Sequence, residues 1–169
     1  FALIIFIALA SSLSPFIGQN WGANQVNRVN HAIRLTTLFC LTWGCCLAIG
    51  LAVFGDAIVR LFDTNPTVTS VATLYLSIVP LSYGAEGIIM LSNTTLNVLG
   101  KPLLSSLLMF LRMFAIYIPF AIIGQQFFGL TGIFLAAFLC NVLIAILAYT
   151  LSKLVRQEKA DYKTQTSLG

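Results

Sequence analysis

The stretch from Met113 to Ser152, MFAIYIPFAIIGQQFFGLTGIFLAAFLCNVLIAILAYTLS, runs for 40 residues without a charge. As a single helix it would extend about 60 Å at 1.5 Å per residue, twice the roughly 30 Å of a bilayer's hydrocarbon core. It must therefore fold back on itself. Gly124, Gln125, Gln126, Gly129 and Gly132 interrupt the apolar run, so the reversal is expected within 124–132. Two apolar helices joined by a short polar turn make the fold all-α and membrane-embedded.

The rest of the chain agrees. Of its 169 residues 59% are hydrophobic and 8% charged, against about 25% charged in a soluble domain, which excludes a soluble globular protein. Six of the charged residues crowd between Lys153 and Lys163, leaving eight for the first 152 positions. Charge-free lengths predict five spans near 1–17, 35–55, 67–98, 103–123 and 130–152, a bundle over 1–152 followed by a polar tail over 153–169. One set of loops carries Arg28, Arg34, Lys101, Lys153, Arg156, Lys159 and Lys163, whereas the other carries only Arg60 among basic residues, beside Asp56 and Asp63. By the positive-inside rule the carboxyl tail is cytoplasmic and Phe1 lies at or beyond the outer face. The apolar start lacks the basic region and cleavage site of a signal peptide and reads as a cut through a longer protein. Short loops and a compact tail suit a bacterial inner membrane. A net charge of +4 scattered over loops gives no nucleic-acid footprint. Cys40, Cys45, Cys46 and Cys140 lie inside apolar runs without metal-ligand spacing and read as small buried hydrophobes.

Glu86 is the residue that asks for a function, because an ionisable group at membrane depth needs protein, water or a partner around it. Ser82, Tyr83, Asn93 and Asn97 fall on its helical face, with Thr94 beside them. Pro80, six residues upstream, is expected to kink the span. Two readings stand: a carboxylate that binds a proton or Na⁺, or a member of a static interhelical ion pair. Arg112 is the candidate partner. Glu86 precedes the turn at Gly100 by 14 residues and Arg112 follows it by 12, so an antiparallel hairpin sets both about 18 to 21 Å from the turn. Arg112 has the alternative of snorkelling to the interface or binding a helix-end carbonyl. Asn20 to His31 is polar with Val26, Val29 and Ile33 on one side, the pattern of a short interfacial helix. His31, without ligand-spaced companions, reads as a solvated residue. No nucleophile sits beside a base and no phosphate-cradling glycine loop is present, so the chain is not expected to be an enzyme.

Ser14-Pro15-Phe16-Ile17-Gly18-Gln19-Asn20-Trp21-Gly22-Ala23 resembles the end of the second helix in a lobe of the multidrug and toxic compound extrusion (MATE) transporters. Leu96-Asn97-Val98-Leu99-Gly100-Lys101-Pro102, then Arg112 and Pro119 in the next span, and Gly129-Leu130-Thr131-Gly132-Ile133-Phe134 opening a last span with Asn141, follow in the same order. The resemblance implies most of the carboxyl-terminal lobe of a two-lobe, twelve-helix transporter, with Pro15, Gly18, Gln19, Asn20 and Gly22 as its motif and an amino-terminal lobe as its partner. It also implies efflux of amphiphilic or cationic drug-like compounds in exchange for H⁺ or Na⁺, with no cofactor and no resident metal apart from Na⁺ at Glu86. Glu86 matches an acidic position on the tenth helix that is implicated in coupling or substrate binding, and Tyr83, Asn93 and Asn97 would supply polar contacts. Two competing readings are a flippase for lipid-linked oligosaccharides and a non-transporting membrane subunit whose polar stripe binds partner helices.

Overall fold

A computed structural model describes residues 3–62 and 65–166, with side chains to Glu158 apart from that of residue 62. Phe1 and Asp63 lie outside the described residues, and nothing is drawn from the side chains of Lys159 and Lys163. The described chain is helical: α1 Ile4–Gly22, α2 Val26–Phe62, α3 Pro66–Ile78, a 3₁₀ turn Val79–Ser82, α4 Tyr83–Val98, α5 Pro102–Phe110, a π segment Leu111–Tyr117, α6 Ile118–Phe128 and α7 Leu130–Thr166. These form five rods long and apolar enough to cross a membrane: α1, α2, α3 with α4, α5 with α6, and α7.

The rod built from α3 and α4 lies at the centre, its α4 half packed against α1, α2, α5 and α7. Phe6, Ile17, Val29, Cys40, Ile89, Leu91 and Ile144 are almost wholly buried around it. Small residues make this packing possible. A Cβ on Gly44 would fall on the backbone of Gly84, and one on Gly84 would meet the Cys40 carbonyl oxygen at 3.1 Å, so α2 and α4 touch backbone to backbone. The α6–α7 hairpin closes the same way, because a Cβ on either Gly124 or Gly132 would overlap the other's main chain.

Helix boundaries differ from the expected spans in ways that burial explains. Asn20 to His31 is not a separate interfacial helix but the end of α1, a tight turn and the start of α2. The spacing that suggested a membrane-surface face instead seals α2 into the bundle, with Val26, Val29 and Ile33 all buried. The reversal near Gly129 is tighter than 124–132, since Gln125 and Gln126 stay helical and only Gly129, at φ +58°, breaks the run. At the other end α7 continues past Ser152 with no break at 153, and Arg156 is 3% exposed. Hydrophobic length bounds what sits in lipid, not where hydrogen bonding stops. Cys40 and Cys140 are buried, whereas Cys45 and Cys46 lie on the outer surface of α2.

Proline sets both irregular segments. Pro80 supplies no N–H for an α-helical bond, and the chain answers with the 3₁₀ turn between α3 and α4. Pro119 likewise cannot bond to Ala115, and its ring crowds that carbonyl. The preceding turn widens so that Ile118 N–H reaches Met113 O. Arg112 lies in that widened turn.

Candidate functional site

The hairpin between α4 and α5 turns at Gly100, whose φ of +75° favours glycine, and Pro102 starts the returning helix. Counting outward from that turn brings Glu86 and Arg112 level, and the structure joins them. Arg112 Nη1 donates to Glu86 Oε1 at 3.1 Å and Nη2 to Oε2 at 2.5 Å, a two-point fork between guanidinium and carboxylate. The side chains are 27% and 18% exposed, so the pair is mostly withdrawn from the surface. Glu86 also stands in the first turn of α4, where the helix dipole favours an anion.

A third helix completes the arrangement. Arg112 Nη2 donates to Asn141 Oδ1 at 2.9 Å, and Asn141 Nδ2 donates to Ser82 Oγ at 3.0 Å. Ser82, wholly buried, donates its own hydroxyl to the Val79 carbonyl oxygen at 2.8 Å. The chain Glu86–Arg112–Asn141–Ser82 thus ties α4, the π segment, α7 and the 3₁₀ turn together at membrane depth. The thiol of Cys140 lies 3.4 Å from the Arg112 carbonyl oxygen, at hydrogen-bonding range for sulfur. Asn141 and Cys140 are absent from the set of side chains expected around Glu86. Asn141 is signalled in sequence by its polarity within a mostly apolar span and by its place in the family resemblance, whereas Cys140 has no such signal.

The remaining candidates fall elsewhere. Asn93 accepts a hydrogen bond from Ser105 of α5 at 3.2 Å, Asn97 is exposed near the end of α4, and Tyr83 sits beside Tyr75. No hydrogen bond joins any of the three to Glu86 or Arg112 among the described residues. Pro15, Gly18, Gln19, Asn20 and Gly22, the family motif, lie in the second half of α1. Gly18 faces Val98 of α4, the Asn20 amide donates to Phe16 O at 2.9 Å, and the Gln19 and Asn20 carbonyls accept from the turn into α2. His31 is exposed on α2, and no group of three or more His, Cys, Asp or Glu with metal-binding geometry occurs among the described residues.

Comparison with known proteins places this arrangement. Residues 1–123 match the MatE family profile. The chain is 36% identical over 151 residues to a protein of Shewanella oneidensis named FAD transporter, covering 89% of this chain and 33% of that protein. It is 26% identical over 166 residues to multidrug export protein MepA of Staphylococcus haemolyticus, covering 95% and 36% respectively. Among solved structures it matches the Vibrio cholerae MATE transporter VcmN in its bent form with a TM-score of 0.91 and 31% identity, over 96% of this chain and 37% of that one. The chain therefore spans about a third of the length of these relatives. With most of its residues matched by the family profile and its helices superposing on part of such a transporter, the chain belongs to the MatE family.

Proposed function

We propose that the whole protein is a secondary active exporter that exchanges an amphiphilic compound for H⁺ or Na⁺ by alternating access, with this chain forming most of the carboxyl-terminal lobe. The observation that carries this reading is the bidentate Arg112–Glu86 pair, which links α4 to the π segment at membrane depth. The same pair also meets the static ion-pair reading, and on this proposal it serves coupling by opening during the cycle. A proton on Glu86 removes the charge that holds Arg112, and Na⁺ would have to compete with the guanidinium for the same two oxygens. Either event would release Arg112 and Asn141 from their present partners and let α4, the π segment and α7 move relative to one another. On this reading Tyr83, Asn93 and Asn97 supply polar contacts to substrate along α4. On the same reading the basic loops and the carboxyl end face the cytoplasm, and the short loops and compact tail suit a bacterial inner membrane.

Similarity to MepA supports drug-like substrates. A second reading, export of a flavin nucleotide, is favoured by the 36% identity to the FAD transporter over 151 residues. It is favoured also by the pairing of Glu86 with Arg112, which leaves that carboxylate no free charge to attract a cationic drug in this arrangement. The test is export by the full-length protein in pump-deficient cells, with ethidium and FAD as alternative cargoes and the proton and Na⁺ gradients collapsed in turn. Gradient-dependent export that is lost in Glu86→Gln at matched expression is the expected result. Coupled export at the wild-type rate in that variant would remove Glu86 from coupling. No export of either cargo by the wild type would favour a flippase for lipid-linked sugars.

A further inference from the structure

A cavity of about 520 Å³ opens between α3, the π segment and α7, with Arg112 and Asn141 among the side chains that line it. Its size falls within the roughly 300–1,000 Å³ of small-molecule sites. The other walls mix aromatic and sulfur-bearing side chains with aliphatic ones, Val79, Ile133 and Ala137. Tyr75 meets Phe134 edge to face, ring centroids 5.4 Å apart at 83°, and Tyr117 and Met113 of the π segment face the same space.

The polar end of this cavity has an unusual character. A guanidinium carries five N–H donors, of which Glu86 and Asn141 engage three among the described residues. The Nε proton and one Nη1 proton are left for another acceptor. Arg112 lines the cavity and Glu86 does not, but their ion pair makes the polar end neutral taken together, so it offers hydrogen bonds without a net charge. That combination suits neither a bare anion nor a cation.

We propose that this cavity binds an uncharged, flat heteroaromatic ring system with carbonyl or ring-nitrogen acceptors on one edge, the chemistry of a flavin's isoalloxazine. The ring lies against Tyr75 and Tyr117, Phe134 at 83° to Tyr75 closes one side, and the acceptor edge meets the spare donors of Arg112. The proposal rests on the flavin reading above and adds where the ring is held and why charge is not the handle.

Riboflavin, which has the ring but no phosphate, is the probe. Its fluorescence is titrated with the full-length protein in phosphatidylethanolamine–phosphatidylglycerol nanodiscs, with FAD export followed separately. Saturable quenching is expected, weakened roughly tenfold by Tyr117→Leu and by Tyr75→Leu and retained by Tyr117→Phe, since a stacked ring loses that order of affinity when its aromatic partner goes. Phe127→Leu, outside the cavity, serves as the unaffected control. Ethidium should compete poorly. Riboflavin binding that ignores both tyrosine changes, or equal competition by ethidium, overturns the proposal. Intact FAD export without riboflavin binding overturns it too while leaving the flavin reading in place. Tyrosine-dependent riboflavin binding without FAD export supports the site and removes the export reading instead.

Discussion

Arg156 of α7 donates its Nη1 to Asn30 Oδ1 of α2 at 2.6 Å, joining residues 126 apart in sequence. Its Nε donates to the Ser152 carbonyl at 3.0 Å, while Nη2 is buried with no hydrogen-bond partner. The guanidinium is thus held at one end of the bundle by neutral acceptors, with no carboxylate bridged to it among the described residues. Removing the Asn30 oxygen would strand more of a buried charge. Asn30→Leu should destabilise the full-length protein by about 1–3 kcal/mol, and Asn30→Asp, which supplies a carboxylate, should match or exceed the wild type. Thermal unfolding in detergent, followed by intrinsic fluorescence, reads both. An unchanged midpoint in Asn30→Leu would show that the contact contributes nothing.

The approach of α2 to α4 gives a sharper contrast. A methyl on Gly44 falls on the Gly84 backbone, whereas one on Gly50 meets nothing within 4 Å. Gly44→Ala must push the helices apart and should cost on the order of 1–3 kcal/mol. Gly50→Ala has only the helix-propensity gain of about 0.5–1 kcal/mol to register. Opposite shifts in unfolding midpoint are the expected outcome, and equal shifts would mean that the two helices do not touch there.

Five apolar lengths gave the bundle, because lipid imposes a minimum span that a run of uncharged residues reports directly. The level placement of Glu86 and Arg112 was equally legible, since both are counted from one turn at Gly100. Asn141 was harder. It reaches Arg112 only through the α6–α7 hairpin, whose register depends on the backbone contact of Gly124 with Gly132. The widened turn at Leu111–Tyr117 has no signature of its own beyond Pro119 downstream. The burial of Arg156 is not legible for a simpler reason: a charged run signals water, but a guanidinium whose hydrogen bonds are partly met by Asn30 and Ser152 packs inside.

Pro119 controls where Arg112 points. Restoring a donor at this position with Pro119→Ala allows the α register to return through 111–117. With α6 fixed against α7 at Gly124 and Gly132, loss of the extra residue per turn rotates Arg112 by about 100° relative to Glu86. A double-mutant cycle with Glu86→Gln and Arg112→Gln, read by unfolding stability, should give a coupling on the order of 1–3 kcal/mol in the wild-type background. In the Pro119→Ala background it should fall below about 0.5 kcal/mol, within the scatter of independent sites. Undiminished coupling would show that the pair forms without the π segment.

On the proposed function the Glu86–Arg112 pair has two separable duties, structural and functional, and removing one partner is not equivalent to removing both. Glu86→Gln alone leaves a guanidinium at membrane depth with only neutral acceptors, the new amide oxygen and Asn141, whereas Glu86→Gln with Arg112→Gln leaves two neutral amides able to bond each other. Unfolding midpoints should therefore fall in the order wild type, double variant, single variant. Export should follow a different order. If ion exchange at Glu86 drives the transport cycle, the double variant recovers stability but no gradient dependence, because no titratable group remains at the pair. Recovery of gradient-driven export along with stability would show that the charges only hold α4 to its neighbours, and would move the coupling site off this pair.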